Sequence, residues 1–425
     1  MNVELADGET LPDALHTLLQ GTIWAIMMQA GANPDVDGIR KPANSVVTFK
    51  DEDSILWFLC KKLFFTQQVS SKECDICPLN KYVADYIYWG RFFRRRVGHD
   101  TTSGWRRVPR IINVFADDDG GDGIFLAVTP KGLWGWGSNY SDQLSIPLCR
   151  EHFIAFPSPV NLHSVWAIES YEARLSQWSK HKAVKVISFT HGRTILVTPV
   201  GTCVAGRDMA WFTGANGQAN SRVFMPVPMP QGFVPERIRD EGRAVIVTMG
   251  SHQMITGENE QGQLGLGHNE KVERFTPLPF WVDQLHTELL FNVFVSSGDL
   301  LVAGQAPRCL IDSGLLPASN NDCNMYLTAT PLVFNGDVSR FFSDYDTKVV
   351  WVTIGQTNVW TPLLGRLTLP FKTTHFSHYD VDDCFRDTAG VWHRIDIGGG
   401  AAWSLVECQT PPEGFMVEIP PAPFD

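Results

Sequence analysis

A glycine-punctuated stretch, MITGENEQGQLGLGH over Met254 to His268, constrains this chain more than any other part of it. An apolar strand ends at Gly257 and enters a polar turn in which Gly262 and Gly265 suit a backbone of positive φ, with Gly267 a further structural glycine of the repeat turn. Leu264 and Leu266 alternate onto one buried face. The same grammar recurs over Ile124 to Ile146: a strand (IFLAVT), a Pro-Lys-Gly turn, a second strand (LWGWG) ending at Gly137, then SNYSDQLSI in register with ENEQGQLGL. Strand, turn, strand and loop of this length form one antiparallel unit, and its recurrence makes the chain a repeat protein.

Two landmarks extend the repeat from Trp105 onward. One is a strand, a small-residue turn and a second strand, seen in INVFADDDGGDGIFLAVT, VKVISFTHGRTILVT, VIVTMGSHQMIT, FNVFVSSGDLLVAG, VVWVTIGQTNVWTPL and RIDIGGGAAWSLV. These centre near Gly121, Gly192, Gly250, Gly298, Gly355 and Gly399, at intervals of about 44 to 71 residues. The other is a proline-bearing segment before each pair, at Pro109, Pro157, Pro226, Pro277, Pro331 and Pro370. Proline cannot donate to a central ladder, so these segments suit outer edge strands.

The stretch over 254–268, and less closely that over 124–146, resembles the repeat of the regulator of chromosome condensation family, whose members fold as seven-bladed β-propellers. The resemblance implies a mainly β fold, a propeller of six or seven four-stranded blades over residues 105–425. A seventh blade would have to lie in a longer connection such as Cys149 to Lys182, although WAIESYEARLSQWS there has helical periodicity. The last copy lacks an outer strand, and the segment Trp105 to Pro109 is the natural donor to close the ring.

Residues 1–104 do not follow the repeat and read as a small helical module. Leu11, Leu15, Leu18 and Leu19 share a helical face beginning at Pro12, and Val46 to Phe65 and Tyr82 to Phe93 follow as apolar groups. The order LPDALHTLL, TFKDEDSILWFLCKKL and YWGRFFRRR resembles the F-box, which docks on the Skp-type adaptor of cullin ubiquitin ligases. By that resemblance Leu11, Pro12, Leu15, Leu18, Phe49, Leu56, Leu59, Cys60 and Trp89 would form the adaptor-binding surface. A helical cap packed on the propeller explains the same apolar faces.

Composition narrows the function classes. A net charge of −11 opposes a general nucleic-acid binder, which gains its affinity from cations facing phosphate. An acidic N-terminus and the lack of any long apolar run point to a cytoplasmic or nuclear protein that neither is exported nor crosses a membrane. Nine scattered cysteines read as reduced thiols, most of them buried.

Candidate chemistry is sparse. Cys74 and Cys77 could supply half a zinc site, but no second pair stands at matching spacing. Asp117, Asp118, Asp119 and Asp122 miss the spacing of a calcium loop and read as a solvated hairpin. The seven arginines from Arg91 to Arg110 read as a solvated junction, and His191 and His252 as packing residues of the blades. Neither a GxSxG elbow nor a phosphate-cradling GxxxxGKS occurs, so no enzyme, catalytic residue, cofactor or metal is expected. Function then rests on surfaces. The propeller would act as a substrate receptor, coupled to an Skp-type adaptor and cullin by the N-terminal module. The alternatives are a guanine-nucleotide exchange factor for a Ran-like small GTPase, and a scaffold with no ligase link.

Overall fold

A computed structural model describes residue 22 and residues 76–80, 83–88, 90–96, 103–105, 107–117, 123–146, 152–190, 192–214, 222–317, 324–343, 348–378, 384–397, 403–408 and 415–419. The chain divides into two compact units, each built of antiparallel sheets. The first comprises Met1–Ser138, Phe153–Val160 and Ser176–His181; the second comprises Asn139–His152, Asn161–Leu175 and Lys182–Asp425.

In the first unit, β1 (Ile76–Asn80), β2 (Val83–Tyr88), β3 (Arg91–Arg96) and β4 (Ser103–Trp105) form one four-stranded sheet in chain order. The second sheet is β5 (Asn113–Asp117), β6 (Ile124–Thr129), β7 (Gly132–Ser138) and β8 (Phe153–Pro159). This corrects the helical reading for the described residues of β1–β4, and the expected boundary at residue 105 falls within β4. The run VADYIYWGRFFRRR is two aromatic and β-branched strands about a turn at Gly90, whose φ is +75°. Aromatic clusters at mixed spacing fit either period, and here the turn glycine decides for a hairpin. Phe92 is buried edge-on to both Phe125 and Trp136, which stack on each other at 5.2 Å.

The second unit opens with a helix, α1 (Trp166–Arg174), where periodicity called for one. Four more four-stranded sheets then follow. They are β9 (Val186–Thr190), β10 (Arg193–Thr198), β11 (Gly201–Gly206) and β12 (Met225–Val227); β13 (Arg237–Asp240), β14 (Ala244–Met249), β15 (His252–Gly257) and β16 (Thr276–Pro277); β17 (Gln284–Thr287), β18 (Phe291–Ser296), β19 (Asp299–Gln305) and β20 (Met325–Pro331); and β21 (Val338–Ser343), β22 (Val349–Thr353), β23 (Gln356–Thr361) and β24 (Gly365–Leu369). The last sheet has five strands, β25 (Thr373–His378), β26 (Cys384–Asp387), β27 (Trp392–Ile397), β28 (Trp403–Cys408) and β29 (Phe415–Glu418), with β29 paired to β25. Among the described residues there are thus six four-stranded sheets and one of five strands. The extra sheet is β1–β4 and not the connection around α1.

All six expected hairpins form, but in differing registers within their sheets. Those near Gly121 and Gly192 join first to second strands; the β14–β15, β18–β19 and β22–β23 hairpins join second to third. The equivalent turns in the earlier sheets lie at Gly132 and Gly201. The last hairpin, β27–β28, joins third to fourth. The proline signal marks outer edges: Pro157, Pro226, Pro277 and Pro331 lie in β8, β12, β16 and β20, all at the edge of a sheet, and Pro370 follows β24. Pro109 lies outside any strand. The expected donation by Trp105 to Pro109 is corrected too, since Trp105 pairs with Phe93 and the outer side of β25 is taken by β29. A nearer segment closes that edge over a shorter loop, at lower entropic cost.

Strand alternation explains how consecutive sheets of the second unit hold together. In β14, Val245 and Val247 pack with Ile195 and Val204 of the preceding sheet. Ala244 and Ile246 pack with Phe294 and Ala303 of the following one. The pattern repeats along the chain: Val349 and Trp351 face back to Val293 and Val302, and Val350 and Val352 face on to Phe376 and Phe385. Central strands buried on both faces read as continuous apolar runs, which accounts for AVIVTM and VVWVT.

A polar turn in the last sheet gives a pH-dependent test. The Asp387 carboxylate accepts from His393 at 3.0 Å and from the backbone N–H groups of Val391 and Ala389, and the His393 bond, chiefly, holds its pKa below the ordinary value. A lowered folded pKa gives stability that is present above the unfolded value and lost as pH falls through the folded one. Asp387→Asn is therefore expected to melt below the wild type at pH 7, with the gap closing as pH drops below about 4. Thermal melts at pH 7, 5 and 3 read this out, and a constant gap would contradict it.

Candidate protein-interaction groove

The glycine motif that organises the sequence closes one strand and shapes the loop after it. Gly257 ends β15 with φ of +144°, and Gly137 is the penultimate residue of β7 with φ of +100°. After each, the next backbone N–H bonds back to the residue before the second strand, from Glu258 to Arg243 O and from Ser138 to Gly123 O. In the loop that follows, buried Asn259 accepts from the Leu264 N–H at 3.1 Å and donates to the carbonyls of His268 and Glu270. Asn139 repeats the first of these bonds with Leu144. Gly262, Gly265 and Gly267, at φ of +79°, +69° and +88°, shape the loop where it lies on β20, and Leu266 bridges to Thr328. The carbonyl of Gln263 accepts from Asn292 and that of Gln143 from Thr194, so each loop latches onto the next sheet.

The opposite end of the same strands is open. An apolar groove with a volume of about 420 Å³ is lined by Pro230 and Phe233 before β13, by Ser251 to Met254 at the β14–β15 turn, and by Pro277 at the end of β16 with Leu278 to Trp281 after it. Its second wall is built by Gln253. This buried side chain donates to Val282 O and accepts from Val282 N, both at 2.7 Å, clamping a segment 29 residues away. Leu278 N–H adds a bond to Gln253 O, and Phe280 packs edge-on to Phe294 at 5.3 Å. Pro277 and Pro279 withhold two N–H groups from this wall. Gln253→Leu would leave the Val282 amide and carbonyl unpaired, and we expect a loss of about 2 kcal/mol in urea denaturation.

Trp281 stands 38% exposed at the rim with its indole N–H donated to Asp283 at 2.7 Å. The other Asp283 oxygen accepts from Ser297 N–H, and Glu236 accepts from Gly250 N–H at the neighbouring turn. Glu236 and Asp283 hold equivalent places in consecutive sheets, since their own N–H groups bond to Thr248 O and Val295 O. His252, expected to pack within a blade, is exposed and is the one ionisable side chain among the groove's lining residues. Prolines between strands were legible as an edge strand, but nothing in the sequence linked Gln253 to Val282.

The remaining sequence candidates fall elsewhere. Leu11, Pro12, Leu15, Leu18, Phe49, Leu56, Leu59, Cys60 and Trp89 lie outside the described residues, as do Cys74, Asp118, Asp119, Asp122 and His191. Cys203, Cys309 and Cys384 are buried, and burial pushes the Cys203 thiol far up, leaving it protonated. Among the described residues no three potential ligands cluster to hold a metal, and no helix is long and apolar enough to cross a membrane.

No protein-family profile matches the sequence, and a search of curated proteins finds no significant match. Solved structures give distant likenesses. Human WBSCR16 is 15% identical with a TM-score of 0.40, over 71% of this chain and 80% of that one. A structure of Kap60 bound to yeast RCC1 (Prp20) matches at 13% identity and a TM-score of 0.39, over 67% of this chain and 69% of that one. Prp20p from Saccharomyces cerevisiae, described with its binding properties to Gsp1p and histones, matches at 12% and 0.38, over 67% and 72%. Similarity of this degree assigns no partner to the present chain.

Proposed function

We propose that this chain is a non-enzymatic protein-recognition platform whose sheets are the blades of a β-propeller. The groove between Phe233 and Trp281 carries the reading. It is concave and largely apolar, its second wall is fixed by the Gln253 clamp, and exposed aromatic and proline side chains line it. Such a surface suits binding of a polypeptide segment. Residues 1–75 would couple the platform to a ligase through Leu15 and Leu18, supported by the F-box-like segments LPDALHTLL and TFKDEDSILWFLCKKL but not by YWGRFFRRR, which belongs to the β2–β3 hairpin. Holding a client beside a transferase then acts by raising effective concentration.

Affinity capture with the full chain tests both parts, using the wild type, Trp281→Ala, and a Leu15→Asp, Leu18→Asp double variant. Clients are expected to be lost from Trp281→Ala, and an Skp-type adaptor and cullin from the double variant. Clients unaffected by Trp281→Ala would remove the groove from the function. A small GTPase retained chiefly by nucleotide-free complexes would replace the receptor reading with nucleotide exchange.

A further inference from the structure

Resting on the recognition reading above, we infer that the groove takes an extended peptide segment that inserts one large apolar side chain and sets a lysine or arginine beside it. The apolar half follows from the lining. Phe233, Met254, Leu278, Phe280 and Trp281 offer aromatic and aliphatic surface to a single side chain. The Trp281 N–H is already committed to Asp283, so the indole presents its ring and no free donor.

The basic half follows from charge at the two rims. Glu236 lies three residues beyond Phe233 on one side, and Asp283 two residues beyond Trp281 on the other. Both carboxylates are tied to backbone turns, at 3.2 Å to Gly250 N and 2.7 Å to Ser297 N, so their charge is held in place without occupying the groove. Arg237, the nearest cation in sequence, follows Glu236 in an extended strand, so its side chain alternates to the other face. Placing a fixed negative charge on each side of an apolar cleft selects a segment with a cation next to its anchor and repels acidic ones. The chain's net charge of −11 adds long-range attraction in the same sense.

A phage-displayed library of random twelve-residue peptides, panned on the full chain, tests this. Enriched peptides are expected to share an aromatic or large aliphatic residue within two positions of Lys or Arg. Fluorescence anisotropy with the leading peptide, synthesised with a label, then gives affinities. Trp281→Ala should weaken binding by tenfold or more and Phe233→Ala similarly, with melting curves confirming that both variants are folded. Glu236→Gln should weaken it about threefold at low salt and have no effect at 0.5 M NaCl, where the charge is screened. Enrichment of acidic or purely proline-rich peptides, or salt-independent affinity, would overturn the inference while leaving the groove as a binding site. Peptides that bind Trp281→Ala as well as wild type would overturn the groove itself. Self-association abolished by Trp281→Ala in sedimentation would show that a second copy of the chain is the occupant, which also overturns it.

Discussion

Arg193→Met is expected to destabilise the second unit by about 3–5 kcal/mol, the loss typical of a buried charge left without its partner. Arg193 is 1% exposed in β10, and its Nε lies 2.8 Å from Oδ2 of a fully buried Asp240 at the end of β13 in the next sheet. The guanidinium also sits over the rings of Trp211 and Phe212, donates to Gly242 O, and has Asp208 within 3.7 Å. Its approach to Asp240 is not aligned as a hydrogen bond, so attraction between the charges carries the pair. Burying two charges costs nearly what their attraction returns, so the pair matters less for net stability than for the damage its halving does. Arg193→Met combined with Asp240→Leu should therefore recover most of the loss. Urea unfolding of the two single variants and the double variant measures the coupling, and simple additivity of the single losses would show that the charges do not act together.

Gly257→Ala is the second large effect. A φ of +144° is strained for any L side chain, at about 1–3 kcal/mol. An added Cβ would also meet Arg243 O at 2.3 Å and Ala244 Cα at 2.7 Å, backbone atoms where the adjoining strand begins. Neither can rotate away, so the β14–β15 ladder must shift, and we expect a total loss of about 3 kcal/mol or more. Gly250→Ala is the matched control: its φ of +56° is also left-handed, yet no atom lies within 4 Å of its Cβ position, and about 1 kcal/mol should be lost. Equal losses at the two positions would mean that backbone conformation alone, and not close approach, makes Gly257 indispensable.

The sequence showed the β-rich part of the fold in its hairpins and in its edge prolines, because both follow from local chemistry. Alternation and turn glycines place a strand pair wherever they occur, and proline excludes itself from the interior of a ladder. What escaped depends on relations between distant residues. The sheet of β1–β4 was hidden because a run of aromatic residues has no clear period, and the pairing of β29 with β25 was hidden because a choice between two candidate partners is made by chain closure. The groove was invisible for the same reason. Met254 was central to the motif and Pro277 to the edge-strand signal, but their meeting in one cavity depends on a glutamine reaching Val282.

The division of each central strand between two neighbouring cores has a consequence for how such a chain can change over time. Val245 and Ala244 answer to different sheets, so a single inserted residue in β14 would hand each cluster the side chains meant for the other. Substitution within these strands must satisfy two neighbours at once, whereas the tips of the hairpins and the outer strands answer to one or none. Diversification is thereby channelled to the ends of the strands, where the groove is found, and a new binding preference can arise there without renegotiating the interior.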